Sequence, residues 1–131
     1  MESQKQYKPR FSFEFFPPKT EKGREKLGNV QQQLAKVCPS FFSVTYGAGG
    51  STRDHTFETV TTTQKATNIE TAPHLSCVGD NKESLGSLLQ QYKDNGIKRI
   101  VTLRGDLPSG TGAALSELQY ASDLVAFIRE N

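Results

Sequence analysis

The chain has 131 residues, with 16 Lys or Arg against 14 Asp or Glu and 34% hydrophobic residues, which is enough for one ordinary domain with a real core. No basic stripe interleaved with aromatics suggests nucleic acid, no apolar run approaches the ~20 residues of a membrane span, and the start Met1-Glu2-Ser3-Gln4-Lys5-Gln6 lacks the apolar stretch of a secretory signal. The two cysteines, Cys38 and Cys77, are too few and too far apart for a disulfide framework; each is expected in or beside a core strand as a small hydrophobe, and the expected compartment is the cytosol.

Residues 1–9 read as a flexible tail, and a single domain runs over 10–131. The first strand is expected over 10–16, where Phe11, Phe13, Phe15 and Phe16 surround one carboxylate, Glu14. Pro17 and Pro18 cannot continue the ladder and end the strand. Glu14 therefore falls near the C-terminal end of an apolar strand, where burial disfavours the charged carboxyl and raises its pKa. Such a group can donate a proton near neutral pH. A structural glutamate paired with a buried Lys or Arg explains the same residue equally well.

A helix follows over 20–37, with Leu27, Val30, Leu34 and Val37 at helical spacing, Thr20 at its start and Pro39 closing it. The second strand covers 41–46, and the glycine-rich loop 47–52 leads to a cap at Ser51 or Thr52 and a Thr-rich helix over 53–66. The third strand spans 71–78. A helix over 82–95 carries Leu85, Leu88, Leu89 and Tyr92 on one face, and Asn95-Gly96 ends it. The fourth strand, 98–103, centres on Ile100-Val101; a loop over 104–116 precedes a last helix from about Tyr120 to the end of the chain. Strands alternating with helices every ~30 residues predict an α/β fold with a parallel sheet of four βα units. A closed barrel needs ~250 residues, so the chain corresponds to about half of one, or to an open doubly wound sheet.

The polar residues that stand out share one location. Glu14, then Thr45 and Tyr46, then His74, then Arg104-Gly105-Asp106 lie on or after successive strands, and in a parallel α/β fold the carboxyl ends of strands carry the site. Gly47, Gly49 and Gly50 allow close approach of a ligand to backbone, but the sequence holds neither the dinucleotide fingerprint nor a Walker A loop. A lone strand histidine such as His74 is more often a satisfied core residue than a ligand. His55, His74, Cys38 and Cys77 lack zinc-type spacing, and no Gly-x-Ser-x-Gly elbow exists. Asp106 at the mouth of the sheet can hydrogen-bond a heterocycle or stabilise a developing cation.

Phe13-Glu14-Phe15-Phe16-Pro17-Pro18-Lys19, Ser43-Val44-Thr45-Tyr46-Gly47-Ala48, Pro73-His74-Leu75 and Leu103-Arg104-Gly105-Asp106-Leu107-Pro108 together resemble the methylenetetrahydrofolate reductase family. Tyr120-Ala121-Ser122-Asp123-Leu124-Val125 looks like a fifth block, in the same order. The resemblance implies a (β/α)8 TIM barrel, of which this chain covers about the first four βα units. It implies FAD at the strand C-termini and hydride transfer from NAD(P)H to the flavin. Reduction of 5,10-methylenetetrahydrofolate to 5-methyltetrahydrofolate follows, for methionine supply. On that resemblance Glu14 is the general acid that opens the folate imidazolidine ring to the 5-iminium cation, and Asp106 favours that cation beside the flavin. Thr45, Tyr46 and Ala48 contact flavin or nicotinamide, and His74, Arg104, Gly105, Asp106 and Ala121 are FAD-binding positions. The family barrel has twice the units expected here, so a fragment is anticipated. Its exposed face would be a large apolar patch, to be covered in a homo-oligomer or by a completing chain. The alternative is a non-catalytic half-barrel that only self-associates.

Overall fold

The computed structural model describes residues 5, 7–46, 50–77, 80–105 and 117–131. Of the expected tail over 1–9, residues 1–4 and 6 lie outside them. Strands β1 (Ser12–Phe15), β2 (Phe41–Val44), β3 (Thr71–Ser76) and β4 (Val101–Leu103) alternate with helices α1 (Glu21–Ala35), α2 (Gly50–Thr67), α3 (Lys82–Asp94) and α4 (Ala121–Glu130). The strands form one parallel sheet in the order β1-β2-β3-β4. A doubly wound sheet reverses its strand order at a switch point, and no reversal occurs among the described strands. Each strand is added beside the last in the same direction, so right-handed crossovers carry the helices to one face. The sequential order is that of the start of a barrel.

Register fixes which side chains share a face. Glu14 pairs with Ser43 and Ser43 with Ala72, so the three form a row across the sheet; His74, two residues beyond Ala72, points the same way. The alternate residues form the helix-covered face. There Phe15 and Phe13 meet Phe42 edge-on or tilted, and Val44, Leu75 and Cys77 join Val60 of α2, Leu85, Leu88, Leu89 and Tyr92 of α3 and Leu124 of α4 in one core.

The helices follow from their sequences with some corrections. The α3 stripe is buried as expected: Leu85, Leu88, Leu89 and Tyr92 are its buried residues, Asn81 caps its start by accepting from the Ser84 amide at 2.8 Å, and Gly96 follows its end with a φ of +72°. Thr20 caps α1, its Oγ1 accepting from the Gly23 amide at 3.1 Å. The inward stripe of α1 is shifted, however. Val30 is 38% exposed and Val37 lies past the helix end, while Gln31, between half-buried Leu27 and Leu34, is the buried residue. Spacing of i, i+4, i+7 selects 27, 31 and 34 as readily as the all-apolar set, although Gln31 Nε2 is buried without a hydrogen-bond partner among the described residues. The helix ends at Ala35, and Cys38 takes a left-handed φ of +52°, so this thiol is exposed rather than part of the core; Cys77 is buried.

Helix α2 begins at Gly50, so the expected cap positions Ser51 and Thr52 lie within its first turn. Its threonines are accommodated by bonding back to the preceding turn: the Thr59, Thr61 and Thr67 hydroxyls donate to the His55, Phe57 and Thr63 carbonyls at 2.7, 2.9 and 2.8 Å. Strand β4 is shorter than expected, and Ile100 and Val101 are only half-buried.

Candidate active site

Glu14 and His74 meet across β2. Their Oε2 and Nε2 atoms are 3.3 Å apart, although the side chains belong to β1 and β3. The residues between them explain how. Ser43 and Ala72, the row-mates of Glu14, are both small and buried, which leaves the carboxylate room to reach over β2. Ser43 was not singled out by sequence reasoning; a serine inside Phe41-Phe42-Ser43-Val44 was the available signal.

The environment of Glu14 differs from the expectation. Its side chain is 54% exposed, so the apolar burial inferred from the flanking aromatics does not hold. Period-two alternation sends Phe13 and Phe15 to the helix-covered face, away from Glu14. Nor does a Lys or Arg pair with Glu14 among the described residues; its partner is His74. That side chain is only 9% exposed. Burial pushes its pKa below the usual 6.5, and the nearby Glu14 carboxylate, which pulls it upward, does not compensate. His74 is therefore neutral at neutral pH. The two groups stand at ion-pair distance, yet the ring nitrogen is not aligned for a hydrogen bond, and Nε2 has no hydrogen-bond partner among the described residues. Charge pairing thus does not explain their approach, and Nε2 is a buried polar atom without a hydrogen bond among the described residues.

Thr45 is half-buried at the end of β2 and fixed through its backbone: its amide donates to the Phe15 carbonyl at 2.9 Å, and its carbonyl accepts from the Thr56 hydroxyl at 3.0 Å. Arg104, Gly105 and Ala121 form a second group at the end of β4. The Arg104 carbonyl accepts from the Ser76 hydroxyl at 2.9 Å and from the Cys77 thiol at 3.3 Å. Its guanidinium lies 5.9 Å from the centre of the Tyr120 ring, next to Ala121 at the first turn of α4, and Gly105 adopts a φ of +85° suited to glycine. Burial pushes the Cys77 thiol up, consistent with a core role and not a nucleophilic one. Ala48 and Asp106 lie outside the described residues.

Tyr46 is not brought to Glu14 and His74. It packs against the helix-side core, and its hydroxyl accepts from Arg53 Nε at 2.9 Å and donates to Asp80 Oδ2 at 3.2 Å. Sequence reasoning missed Arg53 and Asp80. A cavity of about 710 Å³ beside β4, lined by residues such as Leu89, Tyr92, Ile97, Val125 and Ile128, contains none of the candidate site residues and has no part in this chemistry.

Fold and site together define a parallel α/β protein whose polar residues gather where the strands end, with a carboxylate and a neutral imidazole side by side on the sheet face that the helices leave open. The family model described as methylenetetrahydrofolate reductase matches residues 1–131. The chain is 42% identical over 119 residues to the 5,10-methylenetetrahydrofolate reductase of Salmonella typhimurium, covering 91% of this chain and 39% of that protein. The Escherichia coli protein of the same name is 43% identical with the same coverage. Methylenetetrahydrofolate reductase (NADH) 1 of Zea mays is 41% identical over 122 residues, 91% of this chain and 21% of that protein. The chain belongs to the methylenetetrahydrofolate reductase family, and it spans about two fifths of the length of the bacterial relatives it matches.

Proposed function

We propose that this chain provides the first four βα units of a (β/α)8 barrel, with residues 10–131 forming the N-terminal half of its catalytic domain. The protein would be an FAD-dependent reductase that uses NAD(P)H to convert 5,10-methylenetetrahydrofolate to 5-methyltetrahydrofolate. The observation that carries the reading is the approach of Glu14 Oε2 to His74 Nε2 at 3.3 Å on the open face of the sheet, in a chain of this family.

The residues fit a flavin. A buried imidazole nitrogen without a hydrogen-bond partner among the described residues suits the polar edge of a heterocycle. His74, Thr45, Arg104, Gly105 and Ala121 would hold FAD, with Tyr46, Ala48 and Asp106 assigned by the family resemblance alone. When bound, FAD supplies the two-electron step between nicotinamide and folate. The chain itself supplies a proton and a fixed geometry. Glu14 would deliver its proton to the folate ring nitrogen as the ring opens, acting as general acid. Neutral His74 would hydrogen-bond through Nε2 without adding a charge. Asp106, which follows β4 in the sequence, would favour the cationic form of the substrate.

A cytoplasmic location and homo-oligomeric assembly accompany this reading. The maize relative's name specifies NADH, and running the assay with each nicotinamide decides the donor here. The test is Glu14→Gln in the complete reductase, with the two half-reactions followed separately by flavin absorbance. Flavin reduction by nicotinamide should persist while folate no longer reoxidises the flavin. Equal loss of both half-reactions would remove Glu14 from the proton-donor role.

A further inference from the structure

Tyr46, Arg53 and Asp80 form one polar knot on the helix side of the sheet. Arg53, in the first turn of α2, donates from Nε to Tyr46 Oη at 2.9 Å. Tyr46 donates to Asp80 Oδ2 at 3.2 Å, and Ser84 of α3 approaches Asp80 Oδ1 at 3.4 Å. Arg53 Nη2 and Asp80 Oδ2 close the ring as an ion pair, by distance; the Nη2 hydrogens are not aligned for a hydrogen bond. The side chains of Arg53 and Asp80 are 25% and 13% exposed, so the pair is substantially withdrawn from water.

The phenol is held from both sides. Its oxygen accepts from a cation and its proton goes to an anion, a pairing that fixes the hydroxyl orientation and ties the end of β2 to the starts of α2 and α3. Burial, with the Asp80 charge, raises the Tyr46 pKa, so the hydroxyl keeps its proton. Thr45 immediately precedes Tyr46, and its amide and carbonyl are tied to β1 and α2. The locked Tyr46 ring is thus one peptide unit from a residue of the candidate site.

We propose that Arg53 and Asp80 are positioning residues: they lock the Tyr46 phenol on the helix side, so that Tyr46 anchors the end of β2 and holds Thr45 at the open face. This rests on the function proposed above.

The complete reductase is compared with Tyr46→Phe, Arg53→Gln, Arg53→Lys and the double variant Y46F/R53Q. The measurements are KM for reduced nicotinamide, kcat, flavin content, Tm and amide hydrogen exchange at Thr45. A displaced Thr45 should raise KM about tenfold with kcat little changed, in Tyr46→Phe and Arg53→Gln alike. Because both changes break the same device, the double variant should be no worse than either single one. Arg53→Lys, which retains the charge but not the fork, should fall between wild type and Arg53→Gln. Exchange at Thr45 should speed up about tenfold in the single variants, beyond any change at Leu75 in the sheet centre. The proposal is overturned if Tyr46→Phe raises KM while Arg53→Gln does not, if the two effects multiply in the double variant, or if only Tm changes. Should wild type show no reductase activity, the proposed function falls, and hydrogen exchange at Thr45 alone decides the anchoring role: unchanged exchange refutes it.

Discussion

His74 makes folding sensitive to acid, and its position sets the sign. The residue is 7% exposed in β3, and burial holds its pKa below 6.5 against the upward pull of Glu14. An unfolded chain has an ordinary histidine, with a pKa of about 6.5. Above that pH both states are neutral and the contribution of His74 to stability is fully present. As pH falls below it the unfolded state takes up a proton that the folded state resists, so stability drops until pH passes the depressed folded value. At most one proton separates the two states at this residue, which limits the slope to about 1.4 kcal/mol per pH unit, or roughly 4 °C in Tm for a domain of this size. Thermal unfolding followed by circular dichroism between about pH 7.5 and 5 measures it, in wild type and in His74→Gln, which cannot protonate. The stability gap between the two should shift in favour of His74→Gln as pH falls. Glu14→Gln removes the charge that partly supports imidazolium, so the His74 pKa should fall further and the acid loss should extend to lower pH. Parallel pH profiles for wild type and His74→Gln would refute the reasoning.

Two further outcomes test the scaffold that places these residues. Leu85 is fully buried where α3 meets the sheet and α4, and Leu85→Ala should cost about 2–5 kcal/mol in urea unfolding; less than about 1 kcal/mol would mean that this core is not close-packed. Gly96 ends α3 with a φ of +72°, and an added Cβ would meet nothing within 4 Å. Gly96→Ala should therefore cost only backbone strain, about 1–2 kcal/mol, and a neutral result in the same assay would show that the left-handed conformation is not required there.

Legibility in the sequence followed locality. The α3 stripe was readable because Leu85, Leu88, Leu89 and Tyr92 satisfy one helical period with no competing set, and the glycine after it marks a left-handed stop. In α1 two stripes were compatible with the spacing, and spacing alone does not select the one containing Gln31, whose Nε2 is buried without a hydrogen-bond partner among the described residues. The placement of Glu14, Thr45 and Arg104 at or just past the ends of β1, β2 and β4, with His74 within β3, followed from the βα rhythm. Their distances did not. Contact between Glu14 and His74 depends on the small residue at 43 in the intervening strand, and on register that no single strand reveals. The partnership of Tyr46 with Asp80 spans 34 residues and is set by how α2 and α3 enter the fold. The alternation that marks β1 as a strand also sends Phe13 and Phe15 to the face opposite Glu14, so flanking aromatics do not bury that carboxylate.

The choice of histidine beside Glu14 has a consequence for the proposed chemistry. A Lys or Arg at position 74 would pair with the carboxylate, hold it ionised and deny it a proton to give. Burial keeps His74 neutral, so it supplies a polar contact 3.3 Å away without that penalty. The carboxylate is exposed as the chain stands, and a ligand lying over the open face would exclude water from both groups at once. β1 and β3 bring the two groups together, and in the proposed reaction a ligand lying over the open face would supply the apolar environment that the aromatic residues of β1, directed to the opposite face, do not.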